Sequence, residues 1–113
     1  MLRLFALGLA ALTVLVVPAS ARDKLTIYTY DSFISDWGPG PKIKASFEVE
    51  CNCELEWVAV ADAVATLNRV RLEGSNTSAD ILLGIDTSLA AEASATGLFE
   101  DHGIDTQNVS LPV

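Results

Sequence analysis

Lys24-Leu25-Thr26-Ile27-Tyr28-Thr29-Tyr30 is the clearest strand pattern in this chain, and Asp31 follows it at once. β-branched and aromatic residues fill the run, which is the composition typical of a β-strand. A second run of this kind spans Cys53 to Val60. A third spans Ala79 to Ile85 and is nearly all apolar after Asp80, as expected for a strand buried on both faces of a parallel sheet.

Three helices are predicted between and after these strands, because apolar residues recur there at helical spacing between start and stop signals. The start and stop residues are Pro41 and Glu50, then Asp62 and Gly74, then Asp86 and Gly97. On the second helix we expect Arg69, Arg71 and Glu73 to face outward. The order predicts an α/β fold, βαβαβα, with parallel strands joined by right-handed crossovers.

Residues 1–21 have the pattern of an export signal. Arg3 precedes a continuous apolar run, Leu4 to Val17, and Ala19-Ser20-Ala21 offers the small residues of a cleavage site. We therefore expect a cleaved signal peptide, with an uncleaved anchor as the alternative. The mature domain is then expected to comprise residues 22–113.

The chain is acidic, with 7 Lys and Arg against 15 Asp and Glu and a net charge of −8 at pH 7. Arg3 belongs to the predicted signal, so the exported part is more acidic still. This balance argues against nucleic acid or an anionic membrane surface as a partner. It is compatible with a cationic ligand.

Cys51 and Cys53 are separated by a single residue. An exported chain meets an oxidising compartment, where a disulfide can form. The spacing is not the Cys-x-x-Cys of redox enzymes, and the distant His102 does not complete a zinc site. The expected state is a local disulfide or a pair of thiols at the turn before the second strand, with no metal.

A candidate ligand site follows from the strand ends, because open parallel sheets bind ligands beyond the carboxyl ends of their strands. Asp31, Asp62 and Asp86 follow the first, second and third strands. We expect them at one edge with Tyr30 and Trp37, whose flat faces hold a flat or cationic ligand at about 0.5–2 kcal/mol per contact. Asp62 and Asp86 also suit helix capping, which needs no ligand.

Other aromatic residues and motifs indicate structure rather than chemistry. Tyr28 and Trp57 are expected in the core, and Leu98-Phe99 is expected to pack back on it. The sequence contains no phosphate-binding glycine loop, no nucleophile elbow and no arguable nucleophile–base pair. We therefore expect no catalytic residue, no cofactor and no enzymatic activity.

Several segments carry a more specific pattern: Leu25 to Phe33, Asp36-Trp37-Gly38-Pro39-Gly40-Pro41, Cys51-Asn52-Cys53-Glu54-Leu55, Leu83-Gly84-Ile85-Asp86 and Thr96-Gly97-Leu98-Phe99. Together they resemble the family of thiamine-binding periplasmic proteins, the solute receptors of thiamine ABC importers. The resemblance runs from about residue 24 to the end of the chain. It implies the N-terminal part of a lobe of the periplasmic-binding-protein type 2 fold.

The resemblance also implies a longer, two-lobed periplasmic protein that closes around its ligand by a hinge motion. Residues 22–113 would be part of its first lobe. Thiamine or its phosphate esters would be the ligand, and an inner-membrane ABC permease with its ATPase the partners. By position, Tyr30 and Trp37 would contact the ligand, and Asp62 and Ala63 would line the site. The family commonly has Asp-Gly where this chain has Asp62-Ala63.

Two alternatives remain open from the residues. One is a receptor for another cation, such as a polyamine or ferric iron. The other is a small secreted α/β enzyme, which would need a nucleophile or metal set that the sequence does not display. We also expect residues 22–113 in isolation to bind thiamine poorly, because exposed strand edges favour association.

Overall fold

The computed structural model describes residues 22–105 and 107, so the predicted signal peptide, residues 1–21, lies outside the described residues. The elements are β1 (Lys24–Tyr30), α1 (Asp31–Ile34), α2 (Gly40–Cys51), β2 (Glu54–Val60), α3 (Ala63–Glu73), β3 (Ile81–Leu82) and α4 (Thr87–Ala95), with a short 3₁₀ turn at Gly74–Asn76. No helix in the described part of the chain is both long enough and apolar enough to cross a membrane.

The three strands form one parallel sheet in the order β2-β1-β3, which confirms the predicted α/β fold. β1 pairs with β2 along its whole length. It pairs with β3 through two register positions, Ile27 with Ile81 and Tyr28 with Leu82. As the central strand, β1 carries the core, and its Tyr28 is 2% exposed, as predicted.

β3 is shorter and more exposed than its composition predicted. Of the apolar run 79–85, only Ile81–Leu82 forms strand, and Ile81 is 42% exposed. Before the strand, Asp80 binds β1 instead: its Oδ2 accepts from the backbone N–H of Thr26 at 2.8 Å, and its own N–H donates to the Thr26 carbonyl at 2.9 Å. After the strand, Gly84 turns the backbone at a φ of 104°. An apolar run thus became a short edge strand of the described sheet.

α2 begins at Gly40, one residue before the predicted start, and Pro41 lies in its first turn, where a missing N–H breaks no helical bond. Asn52 ends the helix in the left-handed conformation, with a φ of 53°. Around this turn a disulfide joins Cys51 and Cys53, whose Cα atoms are 5.2 Å apart. The thiol-pair alternative therefore does not describe this structure.

α3 packs on the sheet face that carries Tyr28. Arg69 and Arg71 are exposed, as predicted, whereas Glu73 is half-buried. The Arg69 guanidinium lies 4.5 Å from the centre of the Tyr28 ring. Glu73 accepts from the Tyr28 hydroxyl at 3.1 Å, from Arg69 Nε at 2.8 Å and from the Thr77 hydroxyl at 2.8 Å. A buried phenol needs a hydrogen-bond partner, and the last turn of α3 supplies it.

Three apolar side chains that were predicted for the core lie nearer the surface. Leu98 and Phe99 are 36% and 44% exposed, so this pair does not pack back on the core. Trp57 is half-buried, with its ring edge-on to Phe33 at 5.5 Å between centroids. The buried residue of α4 is Ala93. The core of the described residues therefore centres on β1, the start of β2 and α3.

Candidate functional site

The carboxyl ends of the strands form the candidate site. β1 ends at Tyr30 and β2 ends at Val60, and these two residues are register partners. Asp31 and Asp62 follow these two strand ends, so both lie beyond the same end of the sheet. Asp86 follows β3, which runs parallel to both. The topology thus brings the three predicted carboxylates to one end of the sheet.

Two of these carboxylates cap helices, as predicted. Asp62 Oδ1 accepts from the Ala65 N–H at 2.7 Å at the start of α3. Asp86 Oδ1 accepts from the N–H groups of Ser88 and Leu89 at 2.9 and 3.2 Å at the start of α4. Hydrogen bonds from the Ser88 hydroxyl and from the Leu89 backbone hold the pKa of Asp86 below its ordinary value, so this carboxylate is ionised at neutral pH.

Asp31 and Ala63 occupy the first turns of their helices. Asp31 is exposed in the first turn of α1, where the positive end of the helix dipole stabilises a negative charge. Ala63 is half-buried and is the first residue of α3, directly after the Asp62 cap. Its methyl group therefore lies at the helix N-terminus.

Tyr30 is half-buried at the very end of β1. Its ring meets Phe33 edge-on, with 5.8 Å between centroids and 76° between planes. Phe33 in turn meets Trp57 edge-on. The Tyr30 ring also lies directly on Gly84, where an added Cβ would stand 2.7 Å from ring atoms Cδ1 and Cε1. These contacts hold the Tyr30 side chain at the strand end.

Trp37 is 81% exposed in the loop between α1 and α2. The loop packs closely on α1, because an added Cβ at Gly38 or Gly40 would come within 2.5 or 2.8 Å of the Phe33 carbonyl oxygen. The backbone that carries Trp37 is therefore held while its ring is open to solvent. The structure does not pair this ring with Tyr30, whose ring partner is Phe33.

Sequence reasoning assigned no role to Phe33 or Gly84. A glycine inside an apolar strand run indicates a close approach of other atoms to the backbone, and Gly84 has this signal. Phe33 has only its position three residues after Tyr30. Within residues 22–105 and 107, no group of three or more His, Cys, Asp or Glu could hold a metal ion.

Curated proteins named thiamine-binding periplasmic protein are similar to this chain. The one from Brucella abortus biovar 1 (strain 9-941) is 58% identical over 112 residues, which is 99% of this chain and 34% of the relative. The one from Escherichia coli (strain K12) is 50% identical over 104 residues, which is 92% of this chain and 32% of the relative. No protein-family profile matches the chain.

A solved structure of a periplasmic thiamin binding protein matches this fold with a TM-score of 0.77 and 48% identity, over 93% of this chain and 31% of that one. The chain spans about a third of the length of the curated relatives, which fits the expected part of a longer protein. The names also agree with the expected periplasmic location. By sequence and by fold, the chain is similar to the thiamine-binding periplasmic proteins over about a third of their length.

Proposed function

We propose that this chain is part of a periplasmic solute receptor that captures thiamine and its phosphate esters and delivers them to an ABC importer. The observation that carries the proposal is the carboxyl end of the parallel sheet. Tyr30 ends β1 there, and Asp31 and Asp62 follow the paired ends of β1 and β2. The names of relatives at 58% and 50% identity support thiamine as the ligand. Those names are also of binding proteins, which supports a role without catalysis.

The chemistry of the site suits this vitamin. Thiamine has a flat aminopyrimidine and a positively charged thiazolium ring. Tyr30 and Trp37 offer aromatic faces, each at about 0.5–2 kcal/mol for stacking or cation–π contact. A carboxylate such as Asp62 can accept a hydrogen bond from the amino group or lie near the positive ring. Binding of this kind needs no covalent step.

The N-terminus of α3 supports the phosphate esters as further ligands. The first N–H groups of a helix and the positive end of its dipole favour anions. Ala63 begins this helix at the candidate site. The Asp62 carboxylate opposes an anion, so free thiamine is expected to bind at least as well as its esters.

Delivery to a transporter needs parts of the protein beyond those described. The relatives are about three times as long as the matched region, which leaves room for a second lobe. Closure of two lobes around the ligand by a hinge would then present the loaded receptor to an inner-membrane permease and its ATPase. These partners belong to the proposal.

Titration of the full-length mature protein with thiamine tests it. We expect saturable heat and a change in tryptophan fluorescence at micromolar ligand or below, because Trp37 is exposed and is a proposed ligand contact. Thiamine monophosphate should compete. Absence of both signals at micromolar thiamine would contradict the proposal, and competition by putrescine or ferric citrate but not by thiamine would favour a receptor for another cation.

Variants make the titration specific to the site. Tyr30→Leu and Trp37→Leu should each weaken thiamine binding by about 3- to 30-fold, the equivalent of one lost aromatic contact. Phe99→Leu is the matched control, because Phe99 is also an exposed aromatic residue but follows α4 rather than a strand end. Equal losses in all three variants would show that the effect is not local.

A further inference from the structure

We propose that Gly84 is a positioning residue for the Tyr30 ring, an inference that rests on the proposed role of Tyr30 as a ligand contact. No side chain at position 84 can coexist with the ring where it now lies. Gly84 would then control ligand binding without touching the ligand. Three observations support this inference: the close approach, the backbone angle and the way in which the ring is held.

The close approach is between an ideal Cβ at Gly84 and one edge of the Tyr30 ring, the edge formed by Cδ1 and Cε1. That Cβ would stand 2.7 Å from both Cδ1 and Cε1, well inside ordinary van der Waals contact. Two neighbouring atoms of a rigid ring are involved, so no flexible chain end can give way. The ring as a whole would have to move by roughly 1 Å to restore a normal contact.

The backbone at Gly84 adds a second reason for glycine. Its φ of 104° lies outside the conformations that residues with a side chain readily adopt. Gly74, Gly97 and Gly103 also have positive φ, but an added Cβ at any of them would meet nothing within 4 Å. Gly84 is therefore distinguished from these three by the ring that lies on it.

The Tyr30 ring has little freedom to move elsewhere while its present contacts are kept. The backbone of Tyr30 is fixed by pairing of β1 with β2 up to Val60. Its ring lies edge-on to Phe33, which is itself held against Trp57. A displaced ring must therefore give up the Phe33 contact or rotate to another rotamer, and either change removes the stacking face from its place at the strand end.

Gly84→Ala in the full-length mature protein tests the inference. In a ligand-free crystal structure the Tyr30 ring should move by at least roughly 1 Å. In a thiamine titration the affinity should fall by about tenfold, comparable with loss of one aromatic contact. Gly97→Ala is the control for alanine at positive φ, and its affinity should equal that of the wild type.

A double-mutant cycle separates positioning from general damage. In a Tyr30→Ala background, Gly84→Ala should change thiamine affinity by less than about twofold, because the ring through which it acts is gone. Tyr30→Ala should also recover part of the thermal stability that Gly84→Ala loses, so the pair remains informative if the single variant folds poorly. Additive losses of affinity would overturn the inference.

The remaining outcomes are also decisive. A Tyr30 ring that stays in place in Gly84→Ala overturns the inference, as does a displaced ring with unchanged affinity. If the wild type itself does not bind thiamine, the proposed function fails, whereas a displaced ring in the crystal structure still supports Gly84 as the residue that places Tyr30.

Discussion

At the scale of single residues, the Tyr28, Arg69 and Glu73 cluster shows how a buried hydroxyl recruits charged partners. Tyr28 is almost fully buried, so its hydroxyl needs an acceptor, and Glu73 provides one at 3.1 Å. Arg69 bonds to the same carboxylate and covers the Tyr28 ring. Side chains that helical periodicity would assign to solvent thus hold α3 on the sheet.

The charge of Glu73 should make stability depend on pH in the acid range. Hydrogen bonds from Arg69, Thr77 and Tyr28 hold the pKa of Glu73 below its ordinary value of about 4.3. A lowered folded-state pKa contributes stability that is present above the unfolded-state pKa and is lost as pH falls through the folded-state pKa. Glu73→Gln should therefore unfold at lower urea than the wild type at pH 7, with a difference that shrinks below about pH 4.

Glu50→Gln is the matched control for this experiment, because Glu50 is an exposed carboxylate near the end of α2. Its urea midpoint should stay close to that of the wild type at pH 7 and at pH 3. A Glu73→Gln difference that is the same at pH 7 and pH 3 would contradict the assigned role of the charge.

At the scale of elements, helix starts are set by local chemistry and strand lengths are not. Asp62 and Asp86 cap the helices they were predicted to cap, because a cap needs only backbone N–H groups two or three residues away. β3 depends on β1 for every ladder bond, and β1 offers it two paired positions before Gly84 turns the chain. The composition of residues 79–85 therefore predicted a longer strand than the structure contains.

Asp62 can be both a cap and a ligand contact, and two substitutions separate these roles. Asp62→Ala should destabilise the protein by about 1 kcal/mol through loss of the cap, whereas Asp62→Asn should retain most of the stability, because asparagine caps as well as aspartate. If the carboxylate contacts the cationic ligand, both variants should weaken thiamine binding, by about tenfold. Thermal unfolding and calorimetry measure the two effects.

The informative variant is Asp62→Asn. Normal stability with weakened binding supports a contact between the carboxylate and the ligand, and normal affinity would leave Asp62 as a cap alone. Asp101→Asn, a carboxylate in the exposed segment after α4, controls for loss of one negative charge and should bind thiamine as the wild type does.

At the scale of the whole molecule, the described sheet has an exposed edge strand and several exposed apolar side chains. Ile81 on β3 is 42% exposed, and Ile43 and Phe47 on α2 are 43% and 36% exposed. Exposed strand edges and apolar surface favour association. In the proposed two-lobed receptor, the ligand would also be held from a second side.

Residues 22–113 expressed alone should therefore associate and bind thiamine poorly. Sedimentation velocity should show larger species as concentration rises, and calorimetry should show affinity at least about 100-fold below that of the full-length protein, the equivalent of several lost contacts. The full-length protein at equal concentration is the control. A monomeric fragment that binds thiamine as tightly as the full-length protein would contradict the two-lobed proposal.

The sequence by itself determined β1, β2 and the starts of the three longer helices, and it placed four candidate site residues at or after the strand ends: Tyr30, Asp31, Asp62 and Asp86. It did not predict the short helix α1. Strand composition and caps are local, and parallel strands necessarily share their carboxyl ends. Only the tertiary structure decided that β3 is short, that Glu73 bonds to Tyr28 and that Gly84 lies under Tyr30. Each of these joins residues far apart in the chain, and such contacts depend on how elements pack rather than on the pattern within any one of them.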